Sequence, residues 1–293
     1  MFKSRLWPAV IAAGSLLFMA FSPAMEFMLP QKKQIVAVTN PADSLLNCEP
    51  MHAFDSSGLC TCLSHYSPAA LVTAPRISLH HSLLSFVQQF DAREGYYLDK
   101  TVARNKAVLA TIDAVFEEYQ LPVELKYLAI IESNLDKRTT SNVGAVGIWQ
   151  LMPDAARTFG LKVVAGRDDR KNNYKSSVAA ARCLQYLHGL FDDWLLTLAA
   201  YNCGPGRVQS AIRKSGSRDY WSLQSFLPAE TRAHVKKFIA IHYYVEGHGS
   251  LVTMTKKETQ AHIDAVATFV KAYEIKKDDT LLAAASLVSP VSR

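Results

Sequence analysis

From about Ser82 to about residue 246, apolar residues recur at three- and four-residue spacing, and strand-like alternation is almost absent. A chain patterned this way buries its core by packing helices on helices, so the expected fold class is mainly α. Val108, Ile112, Val115, Phe116 and Tyr119 set the period for one amphipathic helix, read over Val102 to Tyr119. Leu121-Pro122 then punctuates the chain, with Pro122 suited to a first helical turn. Further helices are expected over 122–135, 153–159, 175–191, 193–202, 206–214 and 229–246. This stretch is long enough for a substantial core, since a domain of ~150 residues buries about 70% of the surface its unfolded chain exposes.

The flanks read differently. Lys3 and Arg5 precede an apolar run from Trp7 to Phe21, and Ser22-Pro23-Ala24 supplies small residues for cleavage. That is the pattern of a secretory signal over 1–24; the run is shorter than the ~20 residues of a membrane span. Residues 25–81 carry Pro30, Pro41, Pro50, Pro68 and Pro75 without sustained periodicity, and read as an extended or disordered arm. The helical unit then occupies 82–250, and 251–293 is a tail of unassigned role. Within the tail, Tyr273 to Leu281 echoes the opening of a LysM wall-binding repeat, with too few residues following to complete one.

Removing Lys3 and Arg5 takes the formal charge from +6 to +4, still basic. The Lys and Arg residues are scattered, with pairs such as Lys236-Lys237 and Lys256-Lys257 at most, so no nucleic-acid track is indicated. Five cysteines, Cys48, Cys60, Cys62, Cys183 and Cys203, leave at least one without an intrachain partner. Cys48, His52, Cys60, Cys62 and His65 match no standard zinc spacing, and neither a metal nor a cofactor is expected.

One position breaks the core pattern. Leu121, Leu125, Leu128 and Leu135 share a stripe whose continuation is Glu132, directly after Ile130-Ile131. A carboxyl on an apolar stripe loses hydration, which disfavours its charged form and suits it to donate a proton. A buried structural glutamate paired with Arg or Lys accounts for the periodicity equally well. After it, Gly144 and Gly147 permit a tight turn and close approach of a ligand to the backbone. Trp149 and Gln150 offer an aromatic surface and an amide for a sugar, although a connecting turn with a core tryptophan fits the same residues. Pro153 restarts a helix. Later, Trp194, Leu198 and Tyr201 share a stripe that ends at Tyr201-Asn202 and is stopped by Gly204-Pro205-Gly206. Tyr201 is placed either to meet a buried acid with its hydroxyl or to pack in the core.

Three ordered blocks carry a resemblance: Glu132-Ser133 within Leu128 to Asp136, Gly147-Ile148-Trp149-Gln150, and Ala200-Tyr201-Asn202-Cys203-Gly204-Pro205-Gly206-Arg207-Val208. Over roughly 82–246 the chain resembles the family 1 lytic transglycosylases, and within them the membrane-bound type D branch, to which Leu227-Pro228-Ala229-Glu230-Thr231 is also similar. The resemblance implies a lysozyme-like (goose-type, SLT) helical domain with a groove for peptidoglycan glycan strands. It implies Glu132 as catalytic acid then base, forming a 1,6-anhydro end on the muramoyl sugar. Ser133 and Tyr201 would hold the acid or the substrate, while Gln150 and Asn202, with Gly147 and Trp149 beside them, would shape the sugar site. The expected setting is the periplasm or cell envelope, with cell-wall machinery as a further partner, no nucleic acid, and a monomeric chain. The sequence departs from the family in lacking complete LysM repeats and a lipobox, and in placing Cys203 where relatives carry a small or polar residue. Ordinary glycosidases use a second carboxylate; the motifs supply none beyond Asp136, which suits a cap as well. Two rival readings share the fold: a hydrolytic lysozyme, against which Leu151 and Met152 follow the Gln150 block where an acid would be expected, and a non-catalytic glycan-binding protein, against which Glu132 and Tyr201 are both retained.

Overall fold

The computed structural model describes the backbone of residues 74–287 and the side chains of 74–275. The signal-like segment, most of the arm, and Cys48, His52, Cys60, Cys62 and His65 lie outside the described residues. The described chain is mainly α, as the periodicity requires.

Helix α1 (Leu84–Arg104) and helix α2 (Lys106–Glu118) replace the single helix read over Val102 to Tyr119. Asn105 makes the break. Its side-chain amide donates to the Thr101 carbonyl at 2.8 Å, competing with the backbone for the same acceptor. The expected helix over 122–135 is also shorter. Pro122 is extended, Val123–Lys126 form a 3-10 turn, and α3 spans only Tyr127–Ser133. Leu135 still reaches the core, at 3% exposure, but through left-handed turns at Asn134 and Leu135 rather than along a helical stripe.

After α4 (Pro153–Thr158), strands β1 (Val163–Val164) and β2 (Arg167–Asp168) form a short antiparallel ribbon, pairing Val163 with Asp168 and Val164 with Arg167. A 3-10 turn, Asp169–Lys171, leads into α5 (Asn173–Phe191). Helix α6 (Trp194–Cys203) is the centre of the molecule. Every residue from Trp194 to Ala200 is buried, so it is apolar all round, as a fully surrounded helix must be. Asp193 caps it, accepting from Leu196 N at 2.9 Å. Helices α5, α7 (Pro205–Ser215) and α9 (Ala229–Glu246) pack on α6, and a one-turn α8 (Tyr220–Leu223) packs on α7.

The last element, α10 (Lys256–Leu287), is a single helix running through the stretch that echoed a LysM opening. Two carboxylates fasten its start: Lys256 N donates to Asp193 Oδ2 at 2.6 Å, and Glu258 accepts from Trp221 Nε1 at 3.1 Å. Its apolar stripe is sparse, with Val266 and Val270 the buried apolar residues among its described side chains. Among the described residues no helix is long and apolar enough to cross a membrane. Cys183 and Cys203 are both free thiols, and burial pushes the Cys183 thiol up to about 12, which leaves it unreactive.

Candidate active site

Glu132 sits in the last turn of α3, whose other face (Leu128, Ala129, Ile130) is buried. Its side chain is 17% exposed, at the margin of the apolar wall rather than within it. Oε1 lies 2.9 Å from Nε2 of His234 on α9, and Oε2 takes no hydrogen bond from the described residues. The partner of this carboxyl is therefore a histidine, not the Arg or Lys that a structural pairing suggested.

The backbone turns sharply beside the acid. Asn134 (φ 51°), Leu135 (φ 63°) and Gln150 (φ 47°) all adopt the left-handed region, uncommon for side-chain-bearing residues and costing ~1–3 kcal/mol each. Such a cluster persists only where surrounding contacts over-determine it. Here Ser133 Oγ donates to the Ile148 carbonyl at 3.0 Å, and Tyr201 Oη donates to the Trp149 carbonyl at 2.8 Å. Gln150 Nε2 donates to the carbonyls of Gly147 (2.9 Å) and Thr139 (3.1 Å). Beneath the loop, the buried Arg170 guanidinium donates to the carbonyls of Gly144 (2.7 Å) and Leu151 (2.9 Å). It also grips Asp168 through two bonds of 2.8 and 2.9 Å, which hold that carboxyl below its ordinary range.

These contacts correct several sequence expectations. Trp149 is fully buried, packed 5.4 Å from Phe116 and donating from Nε1 to Ser177 Oγ at 3.0 Å, so it offers no surface to a sugar. Gly147 (φ 85°) does allow a close approach, but to protein: a Cβ there would lie 2.1 Å from the Arg170 carbonyl oxygen. Ser133 and Tyr201 bond the 147–150 loop, not Glu132. Tyr201 nevertheless feels the acid, since burial first and the Glu132 charge second raise its phenol well above the usual range and keep it a neutral donor. Asn202 accepts from Thr231 Oγ1 at 2.8 Å and is thereby braced from α9.

Sequence reasoning missed Arg170, Thr231 and His234. Arg170 lay in a charged run, Arg167 to Lys171, that reads as solvated surface. His234 carried a usable signal, because it falls on the buried stripe Thr231, His234, Val235, Phe238 of α9, as Glu132 falls on its own. Asp136 accepts from Arg138 N at 2.9 Å and from its guanidinium at 3.2 Å; these bonds lower its carboxyl and make it a turn cap. A polar depression of about 460 Å³ opens past this turn, lined by Lys137, Asp168, Lys171, Asn172, Asn173 and Tyr174 among others, and Glu132 does not line it. Among the described residues no group of three His, Cys, Asp or Glu side chains is placed to hold a metal ion.

Residues 112–224 match the family described as "Transglycosylase SLT domain". Among curated proteins, it is 40% identical over 154 residues to the membrane-bound lytic murein transglycosylase D of Escherichia coli K12, covering 51% of this chain and 34% of that protein. It is 30% identical over 120 residues to the soluble lytic murein transglycosylase of the same strain, covering 39% of this chain and 19% of that one. The chain thus spans about a third and a fifth of the lengths of these two relatives. A crystal structure of the 70 kDa soluble lytic transglycosylase of Escherichia coli aligns with 51% of this chain and 26% of that one, at 26% identity and a TM-score of 0.43.

Proposed function

We propose that this protein is a peptidoglycan lytic transglycosylase, cleaving the bond between N-acetylmuramic acid and N-acetylglucosamine without water. The observation that carries the reading is Glu132, a partly shielded carboxyl with one oxygen bonded to His234, within the stretch that matches an SLT domain, while the nearby Asp136 is already committed to capping a turn. Ordinary glycosidases need two carboxylates, either ~5 Å apart or ~6.5–9.5 Å apart. A single acid can complete the reaction if the sugar supplies the second nucleophile. Glu132 gives its proton to the glycosidic oxygen, and the C1–O bond breaks through an oxocarbenium-like state. The C6 hydroxyl oxygen then bonds to C1 and returns its proton to Glu132, leaving a 1,6-anhydro ring and a regenerated acid. The names of the relatives, lytic murein transglycosylases of membrane-bound and soluble kinds, support this reading and an envelope location.

Within it, Gln150 and Asn202 shape the sugar site while Ser133 and Tyr201 hold the wall beside the acid. Residues 82–250 act as the catalytic unit and 1–24 direct export. The test is Glu132→Gln, which keeps shape and removes the proton. Release of soluble muropeptides from purified sacculi falls to background while sacculus binding is retained. A variant that releases product at the wild-type rate removes Glu132 from the chemistry.

A further inference from the structure

Helix α9 lies beyond the 112–224 match, yet it touches the site twice from one face, one turn apart: Thr231 to Asn202 and His234 to Glu132. His234 is 7% exposed, its Nε2 is 2.9 Å from Glu132 Oε1, and its Nδ1 is buried with no hydrogen-bond partner. That asymmetry fixes the tautomer. A proton on Nδ1 would be a buried donor without an acceptor and would turn the bare Nε2 lone pair toward the carboxyl oxygen, whereas a proton on Nε2 satisfies both groups.

We propose that His234 is a positioning residue for Glu132. It donates Nε2–H to Oε1 and so leaves Oε2, which takes no hydrogen bond from the described residues, to carry the transferable proton. The inference rests on the transglycosylase reading above and assigns the regulation of its acid to a helix outside the matched domain. The same bond serves both halves of the reaction. With the carboxyl protonated on Oε2, Oε1 is a carbonyl acceptor; with the carboxyl ionised, Oε1 is a stronger one. Of the other groups nearby, Tyr201 on α6 is a neutral phenol committed to the Trp149 carbonyl, and Ser133 is committed to the Ile148 carbonyl. His234 is thus the one described side chain bonded to the acid.

The test follows the Glu132 carboxyl carbon by NMR across pH in the full chain, in the wild type, His234→Gln and His234→Leu, with thermal melting to verify folding. Gln keeps an N–H within reach; Leu keeps bulk and removes the donor. The Leu variant is expected to move the Glu132 carboxyl carbon resonance, having lost the donor to Oε1. Its release of soluble muropeptides falls on the order of 10–100-fold, with sacculus binding unchanged. The Gln variant stays near wild type in both readouts. Carboxyl resonance and rate unchanged in the Leu variant would overturn the proposal. So would equal losses in the Leu and Gln variants, because packing of the ring would then be what matters. A wild type that releases no product overturns the transglycosylase reading instead, and the carboxyl resonance still judges the contact by itself.

Discussion

Replacing Gly147 by alanine tests whether the loop beside Glu132 is held as rigidly as its contacts imply. The added Cβ would stand 2.1 Å from the Arg170 carbonyl oxygen and 3.0 Å from its carbon, far inside the roughly 3.5 Å at which such atoms attract. Backbone must therefore part from backbone by ~1 Å or more. It cannot part easily, because the Arg170 side chain is tied to Asp168 and to the carbonyls of Gly144 and Leu151. Overpacking of this kind costs ~1–3 kcal/mol, and an alanine at φ 85° adds ~1–2 kcal/mol of its own. Gly144 supplies the control: its φ is 90°, but nothing lies within 4 Å of the position its Cβ would take. Gly144→Ala is thus expected to lose about 1–2 kcal/mol, and Gly147→Ala about 2–5 kcal/mol. For a folded unit of this size, the difference of ~1–3 kcal/mol corresponds to a melting temperature lower by roughly 2–12 °C in the second variant. Circular dichroism melts of the two proteins, side by side, read it directly. Equal losses would refute the reasoning, since the conformational term would then be all there is and the loop would be free to yield.

The same account makes three shorter predictions. Trp149→Phe removes the bond to Ser177 and leaves a void in the core; it should lose about 2–3 kcal/mol in denaturant titration while sacculus binding by the folded protein is unchanged. Weakened binding at unchanged stability would instead restore a sugar-contacting role. Arg170→Met strips donors from two carbonyls and the partner from Asp168, a loss of about 3 kcal/mol, with amides of residues 144–151 exchanging faster by mass spectrometry. Buried Asp193 gives a pH signature: burial, opposed by backbone N–H bonds from Lys256, Leu196 and Leu195, raises its carboxyl to about 6. Because the folded value lies above the unfolded value of about 4, its contribution is complete below that pH and is lost as pH rises through 6. The wild type should lose up to about 3 kcal/mol between pH 4 and 7 relative to Asp193→Asn, and parallel melting curves for the two would contradict the assignment.

Much of this was legible in the sequence where periodicity carries the information. The helices that became α2, α5, α6, α7 and α9 follow from apolar spacing, and Glu132 stood out as a carboxyl on a leucine stripe. What stayed hidden is non-periodic. Leu135 matched the stripe by number but reaches the core through left-handed turns. Trp149 was ambiguous because burial depends on Phe116 and Ser177, which lie far from it in sequence. Helix α10 shows a stripe too sparse to declare itself, and two carboxylates anchor its start instead. His234 carries the same signal as Glu132, a polar side chain on the buried stripe of its helix.

The most direct test of the central claim is the mass of what wild-type protein releases from purified sacculi. Muropeptides one water lighter than their reducing-end counterparts, with an anhydro ring on the muramoyl sugar, are the expected result. Reducing-end muropeptides of full mass would mean that water, not the C6 hydroxyl, attacks the sugar, and that the single-carboxylate account of this site is wrong.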